Sequence, residues 1–171
     1  DAGAARSLVD RLVADINTII GSGKPEQAMY ADFEKLFARY ADVPIIAQSS
    51  LGVAARQASP AQMKAYSQAF QGYIARKYGR QFREFIGGKV ETTGAEQVKS
   101  LVEVKSVAQL RGKAPMDVRW HVSDKSGQIK FINIVIEGVN MLATERTEIG
   151  AMLDKRKGNI DALIQDLRTA G

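Results

Sequence analysis

The 171-residue sequence predicts an α+β fold, because its helix-period and strand-period segments are grouped rather than alternating. Apolar residues recur at three- and four-residue spacings as far as Ile86, at two-residue spacings from Val90 to Ile136, and at helical spacings again to Leu167. No repeat or low-complexity linker divides the chain. One domain over residues 1–171 is therefore expected, with an antiparallel sheet of about four strands packed against a helical layer.

The first helix follows from Leu8, Leu12, Ile16 and Ile19, flanked by Val9, Val13 and Ile20, which form one apolar stripe ended by Gly21 and Gly23. Pro25 suits the first position of a second helix, whose stripe is Met29, Phe33, Leu36, Phe37 and Tyr40. Asp42 can cap a short third helix carrying Val43, Ile45, Ile46 and Leu51, with Pro44 in its first turn. Ser59-Pro60-Ala61-Gln62 combines a capping Ser, Pro at the first turn and Gln three residues on, the capping-box arrangement. From there Met63, Tyr66, Phe70, Tyr73, Ile74, Tyr78, Phe82, Phe85 and Ile86 describe a long helix, bent at Gly72 or Gly79 and stopped by Gly87-Gly88.

Two-residue alternation then takes over. Val90 to Thr93 and Val98 to Val107 read as strands with their turn near Gly94. Pro115 precedes the alternating Met116, Val118, Trp120 and Val122, and Ser123 to Gly127 forms a hairpin loop. The next strand places Ile129, Phe131, Asn133 and Val135 on one face and Ile132, Ile134 and Ile136 on the other. Two helices close the chain, one from Met141 to Lys155 and one capped by Asn159 with Ile160, Leu163, Ile164 and Leu167.

The chemistry available is sparse. There is no cysteine and one histidine, His121, so disulfides, thiolate nucleophiles and a multi-histidine metal site are excluded or disfavoured. No G-x-S-x-G elbow supports a serine hydrolase. Gly21-Ser22-Gly23-Lys24 lacks the earlier glycine and the following Ser or Thr of a phosphate loop, with Thr18 and Pro25 at those positions, and reads as a helix–helix turn. No cofactor, metal or catalytic residue is expected.

Apolar runs such as Ile134-Val135-Ile136 are far too short to span a bilayer. No stretch reads as a signal peptide, and one removed ahead of Asp1 is compatible with that. The net charge of +5 suits acidic partners such as lipid headgroups, nucleic acid or an acidic protein face. The cations are scattered, however. Lys155-Arg156-Lys157 falls at a helix end, where cations face the helix dipole favourably. Arg76, Lys77, Arg80 and Arg83 suit a solvated helix face, so nucleic-acid binding is not expected. The informative feature is apolar surplus in the long aromatic stripe and the Phe131–Ile136 strand. Periodicity leaves two readings open: a filled core, or layers that enclose an apolar cavity.

Ile134-Val135-Ile136-Glu137-Gly138-Val139-Asn140-Met141, followed by Thr144, Arg146, Glu148 and Gly150, resembles the signature of the MlaC (toluene-tolerance) family. Ser59 to Gln62 leading to Phe70, Tyr73, Tyr78 and Gly79 resembles the family's long helix, and Gly158 to Leu167 its closing helix. Asn140 and Ile149 depart from the family's usual serine and aromatic. The resemblance implies a soluble periplasmic phospholipid carrier, not an enzyme, with acyl chains held in an apolar cavity between sheet and helices. Its implied partners are phospholipid, an inner-membrane ABC transporter complex bearing an MCE-domain protein, and an outer-membrane lipoprotein complex. Phe70, Tyr73, Ile74, Val118, Trp120, Ile134, Ile136, Val139 and Met141 are the expected lining. Two other classes remain: a periplasmic chaperone or adaptor that binds apolar protein segments, and a small enzyme with Asp117 or His121 as base.

Overall fold

Five of the six α-helices in this protein begin where a side chain satisfies the first free N–H groups. In the computed structural model, which describes residues 1–171, the Gly3 N–H donates to Asp1 at the start of α1 (Ala2–Ile20) at 3.0 Å. The Ile45 N–H donates to Asp42 ahead of α3 (Val43–Leu51) at 3.3 Å. Both halves of the capping box form at α4 (Pro60–Arg83): Gln62 N–H to Ser59 Oγ at 3.0 Å and Ser59 N–H to Gln62 Oε1 at 2.9 Å. Asn140 and Asn159 cap α5 (Met141–Lys155) and α6 (Ile160–Leu167), each at 3.1 Å. Pro25 stands one residue before α2 (Glu26–Tyr40), as its N-cap. A 3-10 segment, Gly52–Gln57, joins α3 to α4. No helix is long and apolar enough to cross a membrane.

The sheet is a five-stranded antiparallel meander in the order β1 (Lys89–Val98), β2 (Leu101–Gln109), β3 (Met116–Ser123), β4 (Lys130–Ile136) and β5 (Val139–Asn140). Three details differ from the sequence reading. The β1–β2 turn is at Lys99-Ser100, not near Gly94, which instead follows a register shift that leaves Thr93 unpaired. Lys99 takes the left-handed conformation (φ 56°), and the Gln97 side chain braces the turn by donating to the Lys99 and Leu101 carbonyls, each at 3.1 Å. A second irregularity leaves Ile132 without a partner, because Val122 pairs with Phe131 and His121 with Asn133. One extra residue reverses the alternation. Phe131 therefore shares a face with Ile134 and Ile136. The third detail is β5, a two-residue strand turned back through Glu137 and Gly138, both at positive φ.

The inner face of the sheet carries Val102, Val104, Val118, Trp120, Val122, Phe131, Ile134 and Ile136, all buried. The Trp120 indole N–H donates to Ser106 Oγ at 3.0 Å, and Ser106 donates to the Val118 carbonyl at 2.6 Å, so the buried ring leaves no orphan donor. Helix α1 packs over β1 to β3, and α3 and α5 pack on β4. The outer face is polar: Arg119 bridges Asp117 (2.8 Å) and Glu103 (3.0 Å), and His121 meets Glu103 at 3.1 Å.

Helix α4 runs unbroken through Gly72 and Gly79, about 36 Å at 1.5 Å per residue. Gly79 serves close packing instead, since a Cβ there would lie 3.0 Å from the Tyr30 ring of α2. The helix ends at Arg83, short of the expected stop, because i→i−3 turns at Phe85 and Ile86 replace helical bonds before Gly87-Gly88 leads into β1. Gly87 has φ 81°, and a Cβ on Gly88 would lie 2.1 Å from the Gln109 carbonyl oxygen of β2. Backbone cannot yield as a flexible side chain can. Gly88→Ala is expected to cost at least about 1–3 kcal/mol of unfolding free energy, the scale of overpacking, read as a lowered urea midpoint.

Candidate apolar binding site

The helical layer closes over the inner sheet face, and a narrow apolar crevice lies among its helices. Phe37 of α2, Ala41, Val43 and Ile46 at the start of α3, Phe70 and Ile74 of α4, and Met141 of α5 line it, with Gln71 the one polar member. Its volume is about 10 Å³, room for roughly one water-sized sphere. No strand residue lines it, and the sheet residues expected to line a lipid-sized cavity, Val118, Trp120, Ile134 and Ile136, are buried. Aromatic side chains fill the space. Phe131 meets Trp120 edge-on with centroids 5.3 Å apart and Phe37 at 5.9 Å, which joins the sheet to α2. Along α4, Tyr66 stacks on Phe70 at 5.7 Å.

Of the nine residues expected as lining, Phe70, Ile74 and Met141 border the crevice itself. Val118, Trp120, Ile134 and Ile136 are buried side by side on the inner sheet face, paired as Val118 with Ile136 and Trp120 with Ile134. Tyr73 is buried but turns its hydroxyl away to Glu145. Val139 stands apart: it is 59% exposed on β5. The sequence reading missed Phe37, Ala41, Val43, Ile46 and Gln71 as lining. Phe37 was legible as part of the α2 stripe, but nothing in the periodicity of α2 or α3 distinguishes a crevice wall from ordinary core.

The reading also missed a buried polar cluster beside the crevice. Glu145 of α5 is fully buried and accepts from Tyr73 Oη at 2.7 Å, Lys77 Nζ at 2.7 Å and Tyr78 Oη at 3.4 Å. Lys77 also pairs with Glu148. Burial, reinforced by the Glu145 carboxylate, pushes the Tyr73 hydroxyl up to about 12. Burial raises Tyr66 and Tyr78 as well. Burial alone would depress Lys77, but hydrogen bonds to Glu145, Glu148 and Tyr73 outweigh it and hold the ammonium above its ordinary value. The tyrosines therefore stay protonated and Lys77 stays charged at neutral pH.

Other polar contacts tie the helices to one another. Tyr66 and Ser50 share a 2.6 Å hydrogen bond, and Arg146 of α5 donates to the Ser49 carbonyl of α3 at 3.0 Å. Arg76 of α4 donates to the Leu167 and Ala170 carbonyls at 2.7 and 2.8 Å, which satisfies the C-terminal end of α6. Arg83 pairs with Glu26 of α2 at 2.7 Å. The cations along α4 thus bind the helical layer together. Arg156, in the basic run at the end of α5, is held bidentate by Asp166 at 2.8 and 2.7 Å.

Asn140, which departs from the serine of the resembled signature, keeps the same capping chemistry. Its Oδ1 accepts from the Ala143 N–H and from Asn133 Nδ2 (2.9 Å), while Asn133 Oδ1 accepts from the Leu142 N–H at 3.1 Å. These two amides fix the first turn of α5, and with it Met141, against β4.

Comparison with known proteins bears on this arrangement. The sequence model of the family described as MlaC protein matches residues 6–169. A solved structure described as the phospholipid-binding protein from Ralstonia solanacearum, in complex with a phospholipid, superimposes with a TM-score of 0.80. The two sequences are 21% identical, and the match covers 95% of this chain and 94% of that one. At that identity the superposition establishes a shared fold.

The Glu145 cluster yields a stability prediction. Glu145→Ala leaves Lys77 without its buried partner and two tyrosines short of an acceptor, and is expected to cost about 3–5 kcal/mol. Glu145→Gln keeps an acceptor oxygen and should cost about 1–3 kcal/mol. Urea unfolding followed by circular dichroism distinguishes the two.

Proposed function

The chain belongs to the MlaC family, and on that premise we propose that it is a phospholipid carrier of the periplasm, which shields acyl chains between its sheet and helices while lipid passes between the outer and inner membranes. The family match over residues 6–169 carries this reading. The phospholipid complex of the protein of like fold supports it. All of residues 1–171 act as one carrier domain on this reading, and no catalytic group is required.

The physical task explains the arrangement. Each buried methylene is worth about 0.8 kcal/mol, so acyl chains cannot cross water unshielded. A carrier must also release its cargo, which favours apolar contact over specific hydrogen bonds to the tails. The inner sheet face and the crevice supply that kind of surface. At about 10 Å³ the crevice is far below the roughly 300–1,000 Å³ of a small-molecule site, so loading requires the helices to part from one another and from the sheet. Phe70, Ile74 and Met141 would be reached first, and Val118, Trp120, Ile134 and Ile136 as the opening deepens. Tyr73 would hold the rear wall through Glu145. Val139, exposed on β5, is proposed for the rim rather than the interior.

The groups whose pKa values shift strongly, three tyrosines and Lys77, move away from neutrality, which suits a binding role better than acid–base chemistry. The partners we propose are those of the family: an inner-membrane ABC transporter complex with an MCE-domain protein, and an outer-membrane lipoprotein complex. The basic balance of the chain suits brief docking to acidic headgroups or an acidic protein face.

Native mass spectrometry of the purified protein, followed by organic extraction, is expected to reveal a stoichiometric phospholipid. Delipidated protein should take up phospholipid again from vesicles. A protein that neither carries nor takes up phospholipid would overturn the carrier reading, and copurifying peptide would favour a chaperone. His121→Ala, on the outer sheet face and remote from the crevice, should leave uptake unchanged. An effect of that substitution would reopen the case for an enzyme.

A further inference from the structure

The apolar crevice shares part of its wall with one surface cleft. Ala41, Val43 and Gln71 line both the crevice and an open cleft of about 410 Å³, whose polar walls include Asp42, Ser126, Gln128 and Lys130. The two spaces differ in chemistry: every crevice residue but Gln71 is apolar, whereas the cleft carries one cation, one anion and several neutral polar groups. A cleft of about 430 Å³ between α1 and α2 carries more charge but shares no residue with the crevice. The shared wall singles out the first.

The backbone sets the two charges of this cleft on either side of one bridge. The Asp42 N–H donates to the Phe131 carbonyl at 2.9 Å, and Ala41 bridges Phe131 in parallel register, so Asp42 and Lys130 stand one residue to either side of that bridge, on its two strands. The Lys130 ammonium donates to the Arg39 carbonyl in the last turn of α2, which leaves two of its three N–H donors free. Asp42 Oδ1 accepts from the Ile45 N–H, which leaves its second oxygen free. Gln71 sits where apolar and polar spaces meet, the depth at which the glycerol esters of a diacyl lipid would lie.

We propose that this cleft is the headgroup subsite, in which Lys130 binds the phosphate and Asp42 the ammonium of a zwitterionic, ethanolamine-type headgroup. The assignment rests on the carrier reading. It adds which end of the crevice admits the lipid and what distinguishes one headgroup from another. Lys130 contributes a charge-assisted hydrogen bond to any phospholipid, and Asp42 a preference among them.

Delipidated protein offered vesicles doped in turn with phosphatidylethanolamine, phosphatidylglycerol or diacylglycerol of the same acyl composition tests this. Uptake is read by native mass spectrometry. The wild type should take up phosphatidylethanolamine best. Lys130→Gln should lower uptake of both phospholipids roughly five- to tenfold, the size of one charge-assisted hydrogen bond in a half-open cleft, and affect diacylglycerol far less. Asp42→Asn, which keeps a good helix cap, should erase the preference for phosphatidylethanolamine over phosphatidylglycerol, with melting curves checking that both variants fold. Equal losses for all three lipids, or no change in any, would overturn the subsite and leave the carrier reading intact. Failure of the wild type on every lipid would overturn both. Lys130-dependent stabilisation by inorganic phosphate alone, without a headgroup effect, would mark a free-anion site and would also overturn it.

Discussion

One apolar sheet face has to be kept from water, and the arrangement of the whole chain follows from how that is done. Trp120, Phe131, Val118, Ile134 and Ile136 present a continuous apolar surface that an isolated sheet could not expose. Helix α1 covers one side of it, and α3 and α5 the other. Hydrogen bonds from helix to sheet occur only at its margins. Asn17 of α1 pairs both backbone groups of Val90 on β1, at 2.9 and 3.0 Å. The N–H groups of Asp42 and Leu142 reach β4. The central strands β2 and β3 receive none. The middle of the interface is held by hydrophobic and dispersion forces alone, which are non-directional and survive repacking.

The polar contacts of the interior lie instead among the helices. Glu145 with Tyr73, Tyr78 and Lys77, Tyr66 with Ser50, Arg146 with Ser49, and Arg76 with the end of α6 join α3, α4, α5 and α6 to one another. Directional bonds hold the helical layer as a unit, and non-directional contact holds that unit to the sheet. Such a division suits a protein proposed to admit and release an apolar cargo. Acyl chains can replace side-chain contacts at the seam without leaving any buried donor or acceptor unsatisfied. The proposed headgroup cleft lies where this seam meets one of its polar margins, at the α2–α3 corner.

Helix starts were the most legible feature of the sequence, because capping is local chemistry. Asp42, the Ser59–Gln62 box and Asn159 each satisfy N–H groups within three residues of themselves. Strand details were less legible. Gly94 resembles a turn residue, yet the turn forms at Lys99-Ser100 with help from the Gln97 side chain. Phe131 was assigned to the wrong face because the unpaired Ile132 breaks the period of two, and an irregularity of that kind depends on the partner strand. Glu145 gave no signal at all, since an acidic residue in a helix is ordinarily solvated.

The sequence by itself determined the α+β class, the element order and the family, since each depends on local periodicity, capping and motif. It also determined that Trp120 and Val118 share a strand face, because alternation within one strand needs no partner. Only the tertiary structure decided which face meets the helices, that Phe131 joins it, and that Glu145 is buried among tyrosines. It alone decided that the crevice narrows to about 10 Å³ and shares a wall with the cleft of Asp42 and Lys130. Volume and continuity are properties of surfaces brought together from distant parts of the chain. Identical apolar stripes can be closed or lined with space according to how their partners approach.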